Sequence, residues 1–309
     1  MRILDDLSDS SILPPASVLT IGNFDGVHLA HAELIRQVAA AGRARAAVSA
    51  VVTFEPHPAR VLRPAAAPML LTPFDAKARL IERLSPDLLV VLPFTEELSR
   101  LSPADFAAQI LSAKLHARAI FVGENFRFGR GQAGNVEILT TLGRTHGFEV
   151  QIVPLLKIRG ERVSSSRIRA LLTEGRVSRA CRLLGRPYSI RGPIVRGHGV
   201  GRQETVPTLN LPAGDQLIPR PGVYISRART PSTECNTVTN VGVRPTFGGG
   251  ALSIETHLLD FAGQVSDEFL EVEFLRRLRD EIKFPSPAAL KAQIGRDVER
   301  ALKFFRLSR

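Results

Sequence analysis

The sequence predicts a parallel α/β domain followed by a mainly β domain with a helix near its end, and three observations carry that expectation. In the first half, short apolar runs alternate with amphipathic runs, and several of the former are apolar throughout, as strands covered on both faces are. After Gly185-Arg186-Pro187 the pattern changes to alternating strand-like pieces broken by Gly and Pro. At 309 residues, 44% hydrophobic and 23% charged, the chain has the profile of a globular protein large enough for two ordinary domains.

Taken in order, residues 17–22, 47–54, 87–92, 119–122 and 148–155 read as strands. Between them 32–41, 75–84, 104–115 and 136–146 read as helices, and Ser102 before Pro103 has the chemistry of a helix start. Helices at 165–174 and 177–184 lead into the boundary, which is placed between 185 and 186 to give domains 1–185 and 186–309. Beyond it "SIRGPIVRGHGVGR", "PGVYISRAR" and "ALSIETHLLDF" read as strands, and 287–305 as the closing helix.

A net charge of +11 and a pI near 10.7 suit a polyanionic partner such as nucleic acid, an anionic membrane surface or a nucleotide, and charge alone does not choose among them. Aromatics are 6% with no Trp, and Arg43, Arg79, Arg144, Arg191, Arg220 and Arg276 are scattered rather than interleaved with rings, against a single-strand binder. The apolar run 88–94 is far short of the ~20 residues of a membrane helix. Asp5, Asp6 and Asp9 stand where a signal peptide carries basic charge, so a cytoplasmic chain is expected. Cys181 and Cys235 have neither zinc-site nor disulfide-framework spacing and read as packing residues.

"TIGNFDGVHLAHAELI" joins a strand to a helix through Asn23, Asp25 and Gly26, with His28 and His31 at the helix start. Such a start, past the carboxyl end of a strand, offers N–H groups and a dipole to a phosphate, and Asp25 is available to cap it. His28 and His31 are spaced i, i+3 on one face, where imidazoles can donate to oxygens that gain charge during a transfer. The same pair also fits one surface and one core histidine, and a metal site lacks a third ligand nearby. "SSSRIR" fits a capped helix and "EPHP" a rigid strand-end turn. Gly129, Gly131 and Gly134 match GxGxxG, but they follow "ENFRF" rather than the first strand, which excludes a dinucleotide fingerprint. No GxxxxGK[ST] occurs, which excludes a P-loop kinase. In the β domain Ser253, Glu255 and His257 share a strand face opposite Leu252, Ile254 and Leu258, a pattern that a solvated face also explains.

"GNFDGVHLAH" resembles the GxFDGxHxGH signature of nucleotidyltransferases. With it, "VTFEPHP", "VGENFRFGRGQAGN", "VSSSRIR", "GRPYSIRG", "PTLNL", "NVGVRPTFGGG", "IETHLLDF" and "RLRDEIKF" appear in the order of the prokaryotic bifunctional riboflavin kinase/FAD synthetases, a resemblance over nearly the whole chain. It implies a Rossmann-like nucleotidyltransferase domain and a β-barrel kinase domain with a terminal helix. It also implies two Mg2+-dependent reactions, riboflavin plus ATP to FMN and FMN plus ATP to FAD. By resemblance His28 and His31 hold the ATP phosphates during adenylyl transfer, Asn23, Phe24 and Asp25 shape the nucleotide site, and Ser164, Ser165, Ser166 and Arg167 face the triphosphate from the opposite side. His57 and Asn125 line the flavin-nucleotide side, under a mobile glycine-rich loop that brings Arg127 and Arg130 near phosphate. In the kinase domain Thr208 and Asn210 hold Mg2+ and ATP phosphates, Glu255 is general base for the ribityl hydroxyl, and Arg279 and Phe284 touch the flavin. The implied partners are riboflavin, FMN, FAD and ATP, with neither nucleic acid nor membrane expected and oligomeric state left open.

Three positions depart from the family pattern: Ala30 where Gly stands between the histidines, Leu209 for Ala, and Thr205 for Gly. Weakened rather than abolished adenylyl transfer is expected from Ala30; Leu209 and Thr205 bear on the kinase nucleotide pocket, whose assignment rests on Thr208 and Asn210. These departures leave room for a single-activity FMN adenylyltransferase whose degenerate kinase domain is a flavin-binding scaffold, while the charge leaves room for a nucleic-acid-binding protein.

Overall fold

The computed structural model describes residues 1–5, 7, 13–195, 208–212, 214–244, 251–261, 265 and 267–307. It divides into two compact units, Met1–Ser165 and Ser166–Arg309.

The first unit is built on six parallel strands: β1 (Arg2–Leu4), β2 (Ser17–Ile21), β3 (Val48–Glu55), β4 (Leu88–Pro93), β5 (Ala117–Gly123) and β6 (Glu149–Val153), in the order β1-β4-β3-β2-β5-β6. Around them run α1 (Leu29–Ala44), α2 (Pro58–Leu62), α3 (Phe74–Glu82), α4 (Glu96–Arg100), α5 (Pro103–Asp105) and α6 (Val136–His146). Both sheet faces are covered. Leu19, Ile21, Val52, Val90, Ile120 and Val122 pack with Phe106, Leu111, Leu139 and Phe148 on one side. On the other side Val51, Leu89 and Val91 pack with Ile35, Ala78 and Ile81. That double burial is why these strands are apolar at consecutive positions. A short hairpin, β7 (Lys157–Ile158) and β8 (Glu161–Arg162), follows.

The expected strands and helices of this unit are present within a few residues. β1, α2 and α4 are additional, and at three to five residues each is too short to show a period. The single helix expected at 104–115 is instead the turn α5, capped by the Ser102 side chain, continuing into a π-helical stretch, Phe106–Ser112.

The second unit carries α7 (Ser165–Thr173), whose first residue closes the preceding unit, and α8 (Val177–Leu184). Six antiparallel strands follow, β9 (Tyr188–Pro193), β10 (Thr208–Pro212), β11 (Gly222–Arg229), β12 (Glu234–Arg244), β13 (Ala251–Leu258) and β14 (Phe269–Arg279). Their order is β10-β13-β12-β11-β14-β9, and a bridge from Val195 N to Asn210 O at 2.9 Å brings the sheet's two edges together into a nearly closed barrel. Inside, Tyr224 and Phe274 meet edge to face beside a row of buried hydroxyls, Ser226, Thr237, Thr239 and Thr256. Outside, α9 (Pro287–Leu307) lays Val298, Ala301, Leu302 and Phe305 against Val223, Ile225 and Val238.

Gly143 lies within α6, where a Cβ would stand 2.5 Å from the Phe148 carbonyl oxygen and 3.1 Å from its ring. Gly143→Ala gains ~1 kcal/mol of helix propensity but must displace a backbone carbonyl. A net destabilisation of about 1–3 kcal/mol is expected in urea unfolding.

On the amino-terminal side of the inner strands, Asp87 Oδ2 accepts from Ser49 Oγ at 2.6 Å and from Ser49 N at 2.9 Å, tying the start of β3 to β4. The Ser49 hydroxyl bond, then the amide bond, hold the Asp87 carboxyl below its ordinary value. A lowered folded pKa means that this stabilisation is complete above about pH 4 and is lost as pH falls through the folded value. Asp87→Asn should lower the unfolding midpoint at neutral pH by a small amount, since the carboxylate is exposed, and flatten the acid limb of midpoint against pH.

Candidate functional site

In the first unit Asn23, Phe24, Asp25, His28, His31 and His57 lie past the carboxyl ends of β2 and β3. The link from β2 to α1 is strained: Phe24, Gly26 and Val27 all have positive φ, at 48°, 83° and 36°, which is costly for Phe and more so for β-branched Val. Asp25 holds that conformation. Its buried carboxylate accepts from Leu71 N and Thr72 N at 3.0 Å, Thr72 Oγ1 accepts from Gly26 N at 3.0 Å, and Ser165 Oγ donates to Asp25 O at 2.8 Å. Asp25 is therefore not the cap expected from sequence. Its carboxylate is already directed at the 71–72 backbone.

The cap of α1 is His28. Its Nδ1 accepts from His31 N at 3.3 Å. An imidazole that accepts at Nδ1 carries its proton on Nε2, so the cap fixes one tautomer of this buried ring. The His31 ring stacks on His28 at 3.5 Å and 17°, and buried Phe24 meets His31 edge-on at 5.1 Å. His57 repeats the device, capping α2 with Nδ1 accepting from Ala59 N at 3.2 Å.

Of the remaining residues, Asn23 presents an exposed side chain, while its carbonyl accepts from Thr53 Oγ1 at 3.3 Å and from Lys77 Nζ at 3.5 Å. Asn125, Arg127 and Arg130 are exposed on the segment after β5. That segment closes through paired bonds between Phe128 and Gly134, and Phe126 stacks on Phe128 at 5.5 Å. Gly129 and Gly131 have positive φ, and a Cβ on Gly129 would strike Pro103. Ser164 and Ser165 end the first unit; Ser166 and Arg167 continue α7 in the second, with Arg167 3.7 Å from Glu174.

In the second unit the strand register brings Asn210 and Glu255 together as direct partners on β10 and β13, with Asn240 of β12 on the other flank of Glu255. Antiparallel partners project to one face, so an amide, a carboxylate and a second amide form a row across three strands. Thr208 pairs with His257 in the same register, and its side chain lies outside the described residues, as does Thr205. Burial pushes the His257 imidazole below its ordinary value, opposed by Glu255. Ile254, Thr256 and Leu258 are buried on the opposite face, as the alternation predicts. Leu209 pairs with Thr256, so it too falls on the face away from Asn210 and Glu255.

Arg279 and Phe284 also come together, the guanidinium 5.8 Å from the ring centroid. The same guanidinium is held by Asp297 of α9 at 2.8 and 2.9 Å, and Gln293 donates to the other Asp297 oxygen at 3.0 Å.

Sequence reasoning missed Thr72, Lys77, Asn240 and Asp297. For Lys77 a signal existed: it stands i+3 from Phe74 and i−4 from Ile81, on the buried face of an amphipathic helix. For the others the partners are remote in sequence and only register or tertiary packing reveals them.

Comparison with known proteins places these features in context. Residues 11–167 match the family model described as FAD synthetase and residues 184–305 the one described as riboflavin kinase. Curated relatives named bifunctional riboflavin kinase/FMN adenylyltransferase include one from Haemophilus influenzae, 34% identical over 99% of both chains. Others come from Escherichia coli, 33% identical over 100% of this chain and 99% of the relative, and Pseudomonas fluorescens, 36% identical over 92% and 91%. A crystal structure from Streptococcus pneumoniae, described as a macrolide-efflux protein, superimposes with a TM-score of 0.85 at 28% identity, covering 96% of this chain and 97% of that one. Among the described residues here, no helix is long and apolar enough to cross a membrane.

Asp297 is 2% exposed, and its removal would strand the Arg279 guanidinium. Asp297→Ala should destabilise the second unit by about 3–5 kcal/mol in urea unfolding, the range for breaking a buried pair from one side. Riboflavin affinity should fall with it if Arg279 touches the flavin.

Proposed function

The chain belongs to the family of bifunctional riboflavin kinase/FMN adenylyltransferases, and from that premise we propose how its residues divide the chemistry. It phosphorylates riboflavin with ATP to give FMN and ADP, and transfers an adenylyl group from ATP to FMN to give FAD and pyrophosphate. The stacked His28/His31 pair on the strained loop carries the reading for the second reaction. An FMN phosphate oxygen attacks the α-phosphorus of ATP in line, and pyrophosphate leaves with the bonding electrons. The Nε2–H of His28, with its tautomer set by the cap, donates to phosphate oxygens as their charge grows, and no protein nucleophile is required. Asn23, Phe24 and Asp25 shape the nucleotide side. Ser164, Ser165, Ser166 and Arg167 bring hydroxyls and a cation to the triphosphate, and His57, Asn125, Arg127 and Arg130 serve the FMN side.

For the first reaction we assign Glu255 as the base that takes the ribityl hydroxyl proton as that oxygen attacks the γ-phosphorus and ADP departs. Its support is the cross-strand row with Asn210 and Asn240. Among the described residues no three His, Cys, Asp or Glu cluster to cage a cation. The Asn210 amide oxygen beside the Glu255 carboxylate instead fits a Mg2+ ion that arrives bound to ATP phosphates, with Thr208 as a second oxygen ligand. When bound, that ion supplies charge neutralisation on the phosphates. Arg279 and Phe284 are proposed to contact the flavin ring.

Leu209 projects away from the Asn210 face, and Ala30 lies in the first turn of α1, where a helical backbone has no need of glycine, so both departures are compatible with activity. The functional boundary is proposed between 185 and 186, just before β9, with α7 and α8 as connecting helices. A cytoplasmic location is proposed because both steps draw on ATP.

The test separates the sites. His28→Ala should lower adenylyl transfer ~10²- to 10³-fold, leave riboflavin phosphorylation intact and let FMN accumulate. Glu255→Gln should lower riboflavin phosphorylation ~10²- to 10⁴-fold yet convert supplied FMN to FAD. Chromatography of flavins from the mixed variants should show FAD made from riboflavin. Either substitution abolishing both activities in a protein folded by circular dichroism refutes the division.

A further inference from the structure

Lys77, on α3, is the only buried lysine or arginine among the described residues, at 6% exposed. Its Nζ lies 3.3 Å from Thr53 Oγ1, 3.5 Å from the Asn23 carbonyl oxygen and 3.5 Å from the Phe54 carbonyl oxygen. The charged groups near it are Glu55, 3.9 Å away, and Asp25, and the Phe74 ring lies 5.5 Å off. Thr53 Oγ1 in turn donates to the Asn23 carbonyl at 3.3 Å, so one ammonium and one hydroxyl close a small network. The two carbonyls belong to separate segments. Asn23 opens the loop that carries His28, and Phe54 stands three residues before His57 at the end of β3.

We propose that Lys77 is a positioning residue for adenylyl transfer, acting through the Asn23 and Phe54 carbonyls to fix the spacing between the His28 loop and the His57 turn. This rests on the reading that both segments serve the adenylyl site. An ammonium supplies three donors from one point, and here it has one acceptor on the Asn23 loop and two, Thr53 Oγ1 and the Phe54 carbonyl, at the end of β3. Burial lowers the Lys77 pKa, only partly countered by Glu55 and Asp25, so the ammonium is an unfavourable choice for packing alone. A methionine would fill the space with no desolvation penalty. What methionine cannot do is hold two backbone segments in register.

The test compares Lys77→Met, Lys77→Arg, Thr53→Val and His28→Ala in the full chain, with riboflavin phosphorylation as an internal control. Lys77→Met should raise KM for ATP and FMN in FAD formation about tenfold or more, as loosened positioning does, while FMN formation stays within about twofold. Thr53→Val should shift the same constants in the same direction by less, and Lys77→Arg, which keeps a cation and donors, should fall between Lys77→Met and the parent. Should Lys77→Met fail to fold by circular dichroism, Thr53→Val and Lys77→Arg decide alone. Unchanged adenylyl KM values in the folded variants, or equal loss of both activities, overturn the proposal. If His28→Ala also spares FAD formation, the site reading itself has failed; if His28→Ala impairs it and the Lys77 and Thr53 variants do not, only the Lys77 proposal has.

Discussion

The first unit depends on the grip of one buried carboxylate on a backbone. Asp25 accepts from Leu71 N, Thr72 N and Thr72 Oγ1, and in doing so holds a loop that would otherwise relax. Phe24 and Val27, at positive φ, cost ~1–3 kcal/mol each, and hydrogen bonds to a charged group contribute ~1.5–3 kcal/mol each. Three such bonds are of the size needed to offset two strained residues. Gly26, the third residue at positive φ, incurs no such penalty. What the clamp secures is the ring geometry downstream: only with the chain turned this way does His28 reach the Ncap position and stack against His31.

Capping by histidine has a chemical consequence that capping by Asp25 would lack. A carboxylate at the Ncap satisfies an N–H and brings negative charge to the helix start, where a triphosphate would then be repelled. An imidazole satisfies the N–H through Nδ1 and brings no negative charge to the helix start. The acid of this motif is instead buried against the 71–72 backbone, where it shapes the loop. His57 uses the same solution at α2, so two helix starts in one unit are capped without added anionic charge.

Much of this was legible in the sequence because its causes are local. Strands buried on both faces are apolar throughout, and β2 to β5 were found for that reason. The histidine spacing, the Ser102 cap and the alternation that sets Glu255 apart from Ile254 are likewise short-range facts. The strand β1 was not legible, since three residues show no period. Nor was the switch from α5 to π-helical geometry at Phe106, which leaves the apolar spacing nearly unchanged. The cap was misassigned because propensity ranks aspartate above histidine, and only the 71–72 segment, 46 residues away, takes the aspartate out of competition. Asp297 was missed for a similar reason: its partner Arg279 is joined to it by the docking of α9.

The two units reach phosphate chemistry by different physical routes, and this explains why one was easier to read than the other. The parallel sheet directs its strand ends and helix starts to one edge, so the histidines of its proposed site lie in one contiguous segment, 20–35, whose residue order is itself the signature. The barrel has no such edge. Its proposed site is a row that crosses β10, β13 and β12, and Asn210, Glu255 and Asn240 become neighbours only through strand register. A one-residue slip of β13 would send Glu255 to the interior among Thr239 and Tyr224 and bring Ile254 or Thr256 to the outer face. The buried Thr239–Thr256 hydroxyl pair, backed by Ser226, resists that slip, because the shift would put Glu255 or His257 opposite Thr239 and break a matched buried hydroxyl bond. Polar residues inside the barrel therefore fix which residues stand on its outside, and the position of Glu255, the base proposed above, is set by hydrogen bonds on the opposite face of its own strand.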